Sequence, residues 1–169
     1  MKVIQKMSIC LLLVLLQSAF TASAQDSKDS KDSLKTTTKD WVEQRNFVFV
    51  AQTAVPMGKP TRQLTSEYTL TVSGDTIDCY LPYYGRSYSA PINSEGGIKF
   101  KTTDAGFTIS PKKKDGWDVL IKPKEVPDVQ ELRLGVYSNG SASLQVSSTN
   151  RQLITFNGYV RQPETRKKK

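Results

Sequence analysis

Histidine is absent from all 169 residues. Without an imidazole there is no His-based relay for a serine or cysteine nucleophile, and no His-ligated zinc, iron or copper site. Proton transfer near neutral pH would fall to displaced carboxylates, lysine or tyrosine. Cysteine is nearly absent too, with only Cys10 and Cys79. Cys79 alternates in phase with Ile77 and Leu81, the pattern of a buried, inert thiol rather than a nucleophile. No glycine-rich loop precedes a helix, so Gly96-Gly97 reads as a turn and not as a phosphate cradle. No apolar run reaches the roughly 20 residues a membrane-spanning helix needs. No metal and no cofactor is expected.

The amino terminus has the three parts of a secretory signal. Lys2 and Lys6 are followed by an apolar run over residues 9–16, then by the small-x-small Ala22-Ser23-Ala24. This pattern predicts export to the periplasm or beyond, with cleavage after Ala24. Cys10 falls inside the apolar run, behind Ile9, and is read as part of the signal rather than as a lipidation site. Cleavage would leave residues 25–169, in which 22 basic face 16 acidic side chains, a net charge of +6. About 140 residues suit one domain with a real core. With Cys79 as its single cysteine that domain can form no internal disulfide, which favours a bacterial envelope protein over a disulfide-built secreted one.

Residues 25–37 alternate Asp, Ser and Lys and offer nothing to bury, so they are expected to be a flexible linker. A short helix is predicted from Thr38 to Asn46, with Thr38 as its cap and Trp41 and Val42 on one side. Beyond it, period-two alternation sets in. It runs through residues 47–51 (apolar on both faces, as in mid-sheet), 68–72, 77–81, 98–100, 107–109, 117–121, 132–136, 142–146 and 154–156. Ser73-Gly74-Asp75 marks a turn. Asn139-Gly140 predicts a two-residue type I′ hairpin, and Gly158 a bulge or close backbone approach. The fold class is therefore mainly β. An antiparallel meander of about seven to eight strands would curl into an incomplete barrel or two-layer sandwich, with the early helix plugging one end. The single domain is placed at 38–162, followed by a basic tail at 163–169.

Several strings together carry a resemblance: residues 46–51 (NFVFVA), 80–91 (YLPYYGRSYSAP), 96–100 (GGIKF), and Asn150-Arg151-Gln152 followed by Gly158. Over about residues 38–160 the chain resembles an uncharacterised domain-of-unknown-function family (DUF4251-like) of small exported Bacteroidetes proteins. The resemblance implies an envelope location in a Gram-negative bacterium, and it brings no activity and no site residues.

The loop from Pro82 to Glu95 is the candidate site. Tyr83, Tyr84, Arg86 and Tyr88 crowd around Gly85 between two prolines. Loops of that length in compact domains tend to be functional. Tyrosine offers apolar area with a polar tip, and arginine stacks on rings or grips carboxylate and phosphate. Two readings stand, and they are compatible: a recognition surface for an envelope protein, glycan or lipid, or a packed lid over the barrel mouth. The alternative class is a small glycan hydrolase using a facing carboxylate pair, with Glu67, Asp75, Asp78 and Asp104 as candidates. Lys112-Lys113-Lys114 and the tail Arg166-Lys167-Lys168-Lys169 read as a solvated hairpin tip and a frayed end. In an exported protein these favour weak membrane-surface contact through the tail over nucleic acid.

Overall fold

The computed structural model describes residues 26–88 and 96–164. The signal segment, the second half of the candidate loop (89–95) and the basic run at 166–169 lie outside the described residues. Two compact units are distinguished, Met1–Ser33 and Leu34–Lys169. The one described helix, α1 (Asp26–Glu43), begins in the first and ends in the second. It thus starts twelve residues ahead of Thr38 and takes in the Asp/Ser/Lys segment. Thr38 is no cap: it lies inside the helix and is fully buried. Once a helix is nucleated, each added residue gains a hydrogen bond.

Nine strands follow: β1 (Asn46–Pro56), β2 (Arg62–Ser73), β3 (Thr76–Pro82), β4 (Gly97–Thr102), β5 (Ala105–Pro111), β6 (Trp117–Pro123), β7 (Val129–Val136), β8 (Ser141–Ser148) and β9 (Ile154–Arg161). They form one antiparallel sheet in the order β4-β3-β2-β1-β9-β8-β7-β6-β5. Every neighbour is consecutive in the chain except β1 and β9, so the first and last strands pair and the opening falls mid-chain, between β4 and β5. A ring with every neighbour antiparallel needs an even number of strands. Here the two edge strands run in the same sense and are joined by only Thr103-Asp104, which makes β4 and β5 the two halves of one bent strand. The first half pairs with β3 (Cys79↔Phe100) and the second with β6 (Phe107↔Ile121). At the bend the Thr102 hydroxyl lies within hydrogen-bond reach of the Asp104 and Lys124 carbonyls, sharing its one proton between them, and accepts from the Asp104 N–H, while the Lys124 N–H donates to the Asp104 carbonyl. The sheet is thereby nearly closed into a barrel of eight strand directions, and the sandwich alternative falls away. Such staggered closure follows from the tilt of strands in small barrels.

The core is what the alternation predicts. Phe47, Phe49, Leu70, Val72, Ile77, Leu81, Ile121, Leu132, Leu134, Leu144 and Phe156 are essentially inaccessible. β1, between β2 and β9, is buried on both faces over 47–51. Opposite its bulge at Gln52, Gly158 passes so close that an added Cβ would lie 1.9 Å from the Val50 carbonyl oxygen, as the close-approach reading requires.

One barrel end carries the β2–β3 turn and the β5–β6 and β7–β8 loops. The last part of α1 lies across it, as a plug for one end was expected to. Thr38 and Val42 are buried and Trp41 packs on the core. Arg45 accepts a hydrogen bond from the Gly74 N–H and pairs with Asp75, while Lys35 reaches Asp115 in the β5–β6 loop. The β7–β8 hairpin corrects the type I′ expectation. Gly140 N–H donates to the Tyr137 carbonyl and Tyr137 N–H to the Ser141 carbonyl, so three residues form the loop. Only Gly140 takes positive φ (81°), and Asn139 does not. This is a type I turn closed by a glycine bulge, the next commonest hairpin geometry. The Asn139 carboxamide oxygen accepts from the Ser141 N–H and hydroxyl, which stabilises it.

Candidate functional site

At the opposite end, where β1 finishes, four connections meet: the β1–β2 turn, the described part of the β3–β4 loop, and the β6–β7 and β8–β9 connections. The β3–β4 loop is pinned. Residues 86–88 run antiparallel to 150–152, with the Tyr88 N–H donating to the Asn150 carbonyl (2.8 Å) and the Gln152 N–H to the Arg86 carbonyl (3.0 Å). The Tyr83 hydroxyl lies 2.7 Å from the Arg86 carbonyl and 2.9 Å from that of Gln152, sharing its one proton between them. A Cβ at Gly85 would sit 2.4 Å from the Tyr83 hydroxyl oxygen, so a larger residue here would have to push that hydroxyl away from its two carbonyls.

Beneath the loop is Arg151, whose side chain is only 5% exposed. Its Nη1 donates to the Gly97 carbonyl at 2.7 Å, and its guanidinium lies 5.1 Å from the Tyr83 ring centroid. Its Nε is 3.0 Å from Asp128 Oδ2, a close but poorly directed contact that acts as a charge pair rather than a hydrogen bond. A buried cation must be paired, and this one draws together the loop, the start of β4 and the β6–β7 connection. Burial pushes the Tyr83 phenol above its ordinary pKa, and the Arg151 charge partly offsets that.

The four expected residues therefore separate. Tyr83 and Tyr84 are half-buried and pack on the core, as a lid would. Arg86 is exposed and Tyr88 is 73% exposed. The β1–β2 turn leans on the same loop: Lys59 Nζ donates to the Tyr84 carbonyl (3.0 Å), and the Arg62 guanidinium lies 4.9 Å from the Tyr84 ring centroid. No pattern in the sequence marks Lys59 or Arg62, and Arg151 stands out there only as part of Asn150-Arg151-Gln152, since nothing local shows which arginine a fold will bury. Beside the loop, Tyr80 stacks on Tyr68 at 5.5 Å with Lys99 5.0 Å from its ring centroid, lining a shallow concavity of about 220 Å³.

The carboxylate candidates are dispersed, each beside a cation of its own. Asp75 pairs with Arg45 (2.9 Å), Asp78 with Lys101 (3.9 Å), Glu67 with Arg161 (2.8 Å) and Asp104 with Lys124 (2.9 Å). Cys79 is buried, and burial pushes its thiol pKa far up, away from thiolate chemistry. Lys112 corrects the solvated-tip reading. It is largely covered, lies 4.2 Å from the Tyr137 ring centroid and pairs with Asp118, while Lys113 and Lys114 stay exposed. Among the described residues no three metal-binding side chains cluster, and no helix is long and apolar enough to cross a membrane.

The family model described as "Domain of unknown function (DUF4251)" matches residues 29–160. The match begins nine residues before the resemblance first seen in the sequence and includes part of α1. A crystal structure of a DUF4251 family protein from Bacteroides eggerthii is similar in fold, with a TM-score of 0.58 and 13% identity. The likeness covers 77% of this chain and 88% of that one. No curated protein matches the chain.

Proposed function

Starting from the fact that the chain belongs to the DUF4251 family, we propose that it is an exported, non-catalytic binding module of the cell envelope that engages its partner through the pinned β3–β4 loop. One observation carries this reading. Arg86 and Tyr88 stand in solvent on a backbone held from both sides, by the ladder to 150–152 and by the Tyr83 hydroxyl. On a fixed frame exposed arginine and tyrosine lose little backbone entropy on binding, and these are the residue types that dominate interface energetics. Tyr83, Tyr84 and Arg151 form the frame.

The test is recovery of the envelope component that copurifies with the full chain. Arg86→Ala and Tyr88→Ala should each weaken that association by about 1–3 kcal/mol and leave the melting temperature unchanged. Tyr137→Ala, at the opposite barrel end, should bind as the parent does. Undiminished recovery with both loop variants would overturn the reading. Export is tested separately: mass spectrometry of the protein from the envelope should find a chain beginning at Gln25.

A further inference from the structure

Most acids of the barrel sit beside a cation, and the loop end departs from that pattern. Lys59, Arg62 and Arg86 are exposed, and none has a carboxylate partner among the described residues. Asp128, in the β6–β7 connection at this end, is already committed to buried Arg151. Above these cations the β1–β2 turn carries Met57 at its tip, 57% exposed beside Gly58 in the left-handed region (φ 68°). Tyr88 stands exposed on the neighbouring loop.

What this end offers outward is defined by what covers its rings. Tyr83 and Tyr84 each pack on the core and lie beside a guanidinium, Arg151 and Arg62 respectively. Tyr80 has Tyr68 stacked on it and the Lys99 ammonium close by. A sugar-binding platform needs open ring faces; Tyr83 and Tyr84 are covered, and Tyr80, though 44% exposed, already has Tyr68 stacked on it. Left facing solvent are cationic groups, the Tyr88 phenol with part of Tyr80, and one flexible thioether. That set matches a phosphate-rich interface with hydrocarbon beneath it. Cations pair with headgroup phosphates, tyrosine settles at headgroup depth, and a small apolar tip enters the acyl boundary.

We infer that the loop end of the barrel docks on an anionic bilayer surface, with Lys59, Arg62 and Arg86 on lipid phosphates and Met57 and Tyr88 at the interface. The inference rests on the loop end being the recognition face and names the partner that face takes. It also moves the membrane contact expected of the basic tail onto the folded barrel.

The experiment is cosedimentation of the full chain with phosphatidylcholine vesicles containing about 30% phosphatidylglycerol, against pure phosphatidylcholine, at low and high salt. Binding should require the anionic lipid and fall steeply with salt. K59E/R62E should lower vesicle affinity at least tenfold, whereas K113E/K114E, the same charge change at the far barrel end, should change it less than twofold. Met57→Asp, on a tip whose side chain is open to solvent, should lower it at least threefold with the fold intact, so the answer does not depend on Arg62 being replaceable. Equal losses in the two charge-reversed pairs, or no preference for the anionic vesicles, would overturn the inference. So would heparin displacing the chain through the same residues more effectively than the vesicles hold it, since that assigns the face to an acidic glycan. If vesicle binding fails while Arg86→Ala and Tyr88→Ala still lose the copurifying component, only the lipid assignment falls.

Discussion

Arg151 and Cys79 show how burial changes the meaning of a polar side chain. Removing Arg151 leaves Asp128, with one carboxylate oxygen already buried and unpartnered among the described residues, without its counter-charge. Arg151→Ala is therefore expected to cost about 3 kcal/mol of stability, read from the denaturant midpoint. It should also raise proteolytic sensitivity at 83–88, which Arg151 supports through Tyr83. For Cys79 the folded-state thiol pKa lies above its unfolded value. Its contribution is fully present below the unfolded value and is lost as pH rises, because only the unfolded chain releases the proton. Stability should fall above roughly pH 8.5 with a slope of up to about 1.4 kcal/mol per pH unit. Cys79→Ala should flatten that slope. A parent slope unchanged by the substitution would place the titration elsewhere.

At the scale of the element, the β7–β8 hairpin and α1 each carry a testable detail. Gly140→Val puts a β-branched residue at φ 81°, and is expected to cost about 1–2 kcal/mol or more. Asn139, which has ordinary φ, should tolerate alanine with only the loss of its hydrogen bonds to Ser141, about 1 kcal/mol. Equal penalties at both positions would restore a type I′ turn. In α1 the Thr38 hydroxyl is buried with no partner among the described residues. Thr38→Val keeps the shape and removes the unsatisfied group, so it should raise stability by about 1 kcal/mol. A loss instead would show that the hydroxyl has a bonding partner.

For the molecule as a whole, the bend at Thr103-Asp104 is the weak point. β4 and β5 each pair on one side only, whereas β1 and β9 are paired on both. Local opening starts where backbone hydrogen bonds are fewest and most exposed. Amide hydrogen exchange should accordingly be fastest, among the strands, at residues 97–111, and slowest in 47–51 and 154–160. Uniform protection around the ring would mean that the two halves of the bent strand close more fully than their pairing shows.

Which residues point inward was legible in the sequence before any fold was known, because alternation along a strand is a property of the backbone and survives any arrangement of strands. Thus Ile77, Cys79 and Leu81, or Leu132, Leu134 and Val136, could be assigned to the core before any partner strand was known. The Gly158 approach and the crowded tyrosine loop were legible there too. How the ring closes was settled by tertiary contacts, since β4 and β5 are ordinary alternating runs and the same-sense relation that makes them one bent strand is set by the eight pairings that link them around the sheet. Tertiary contact likewise converted Thr38 from cap to buried helix residue and drew Lys112 onto Tyr137. It also sent Tyr83 and Tyr84 inward while leaving Arg86 and Tyr88 in solvent. Neighbours of one type in one short loop look alike in sequence. What separates them is Arg151, more than sixty residues away, whose charge could be buried only by gathering Asp128, Gly97 and Tyr83 around it.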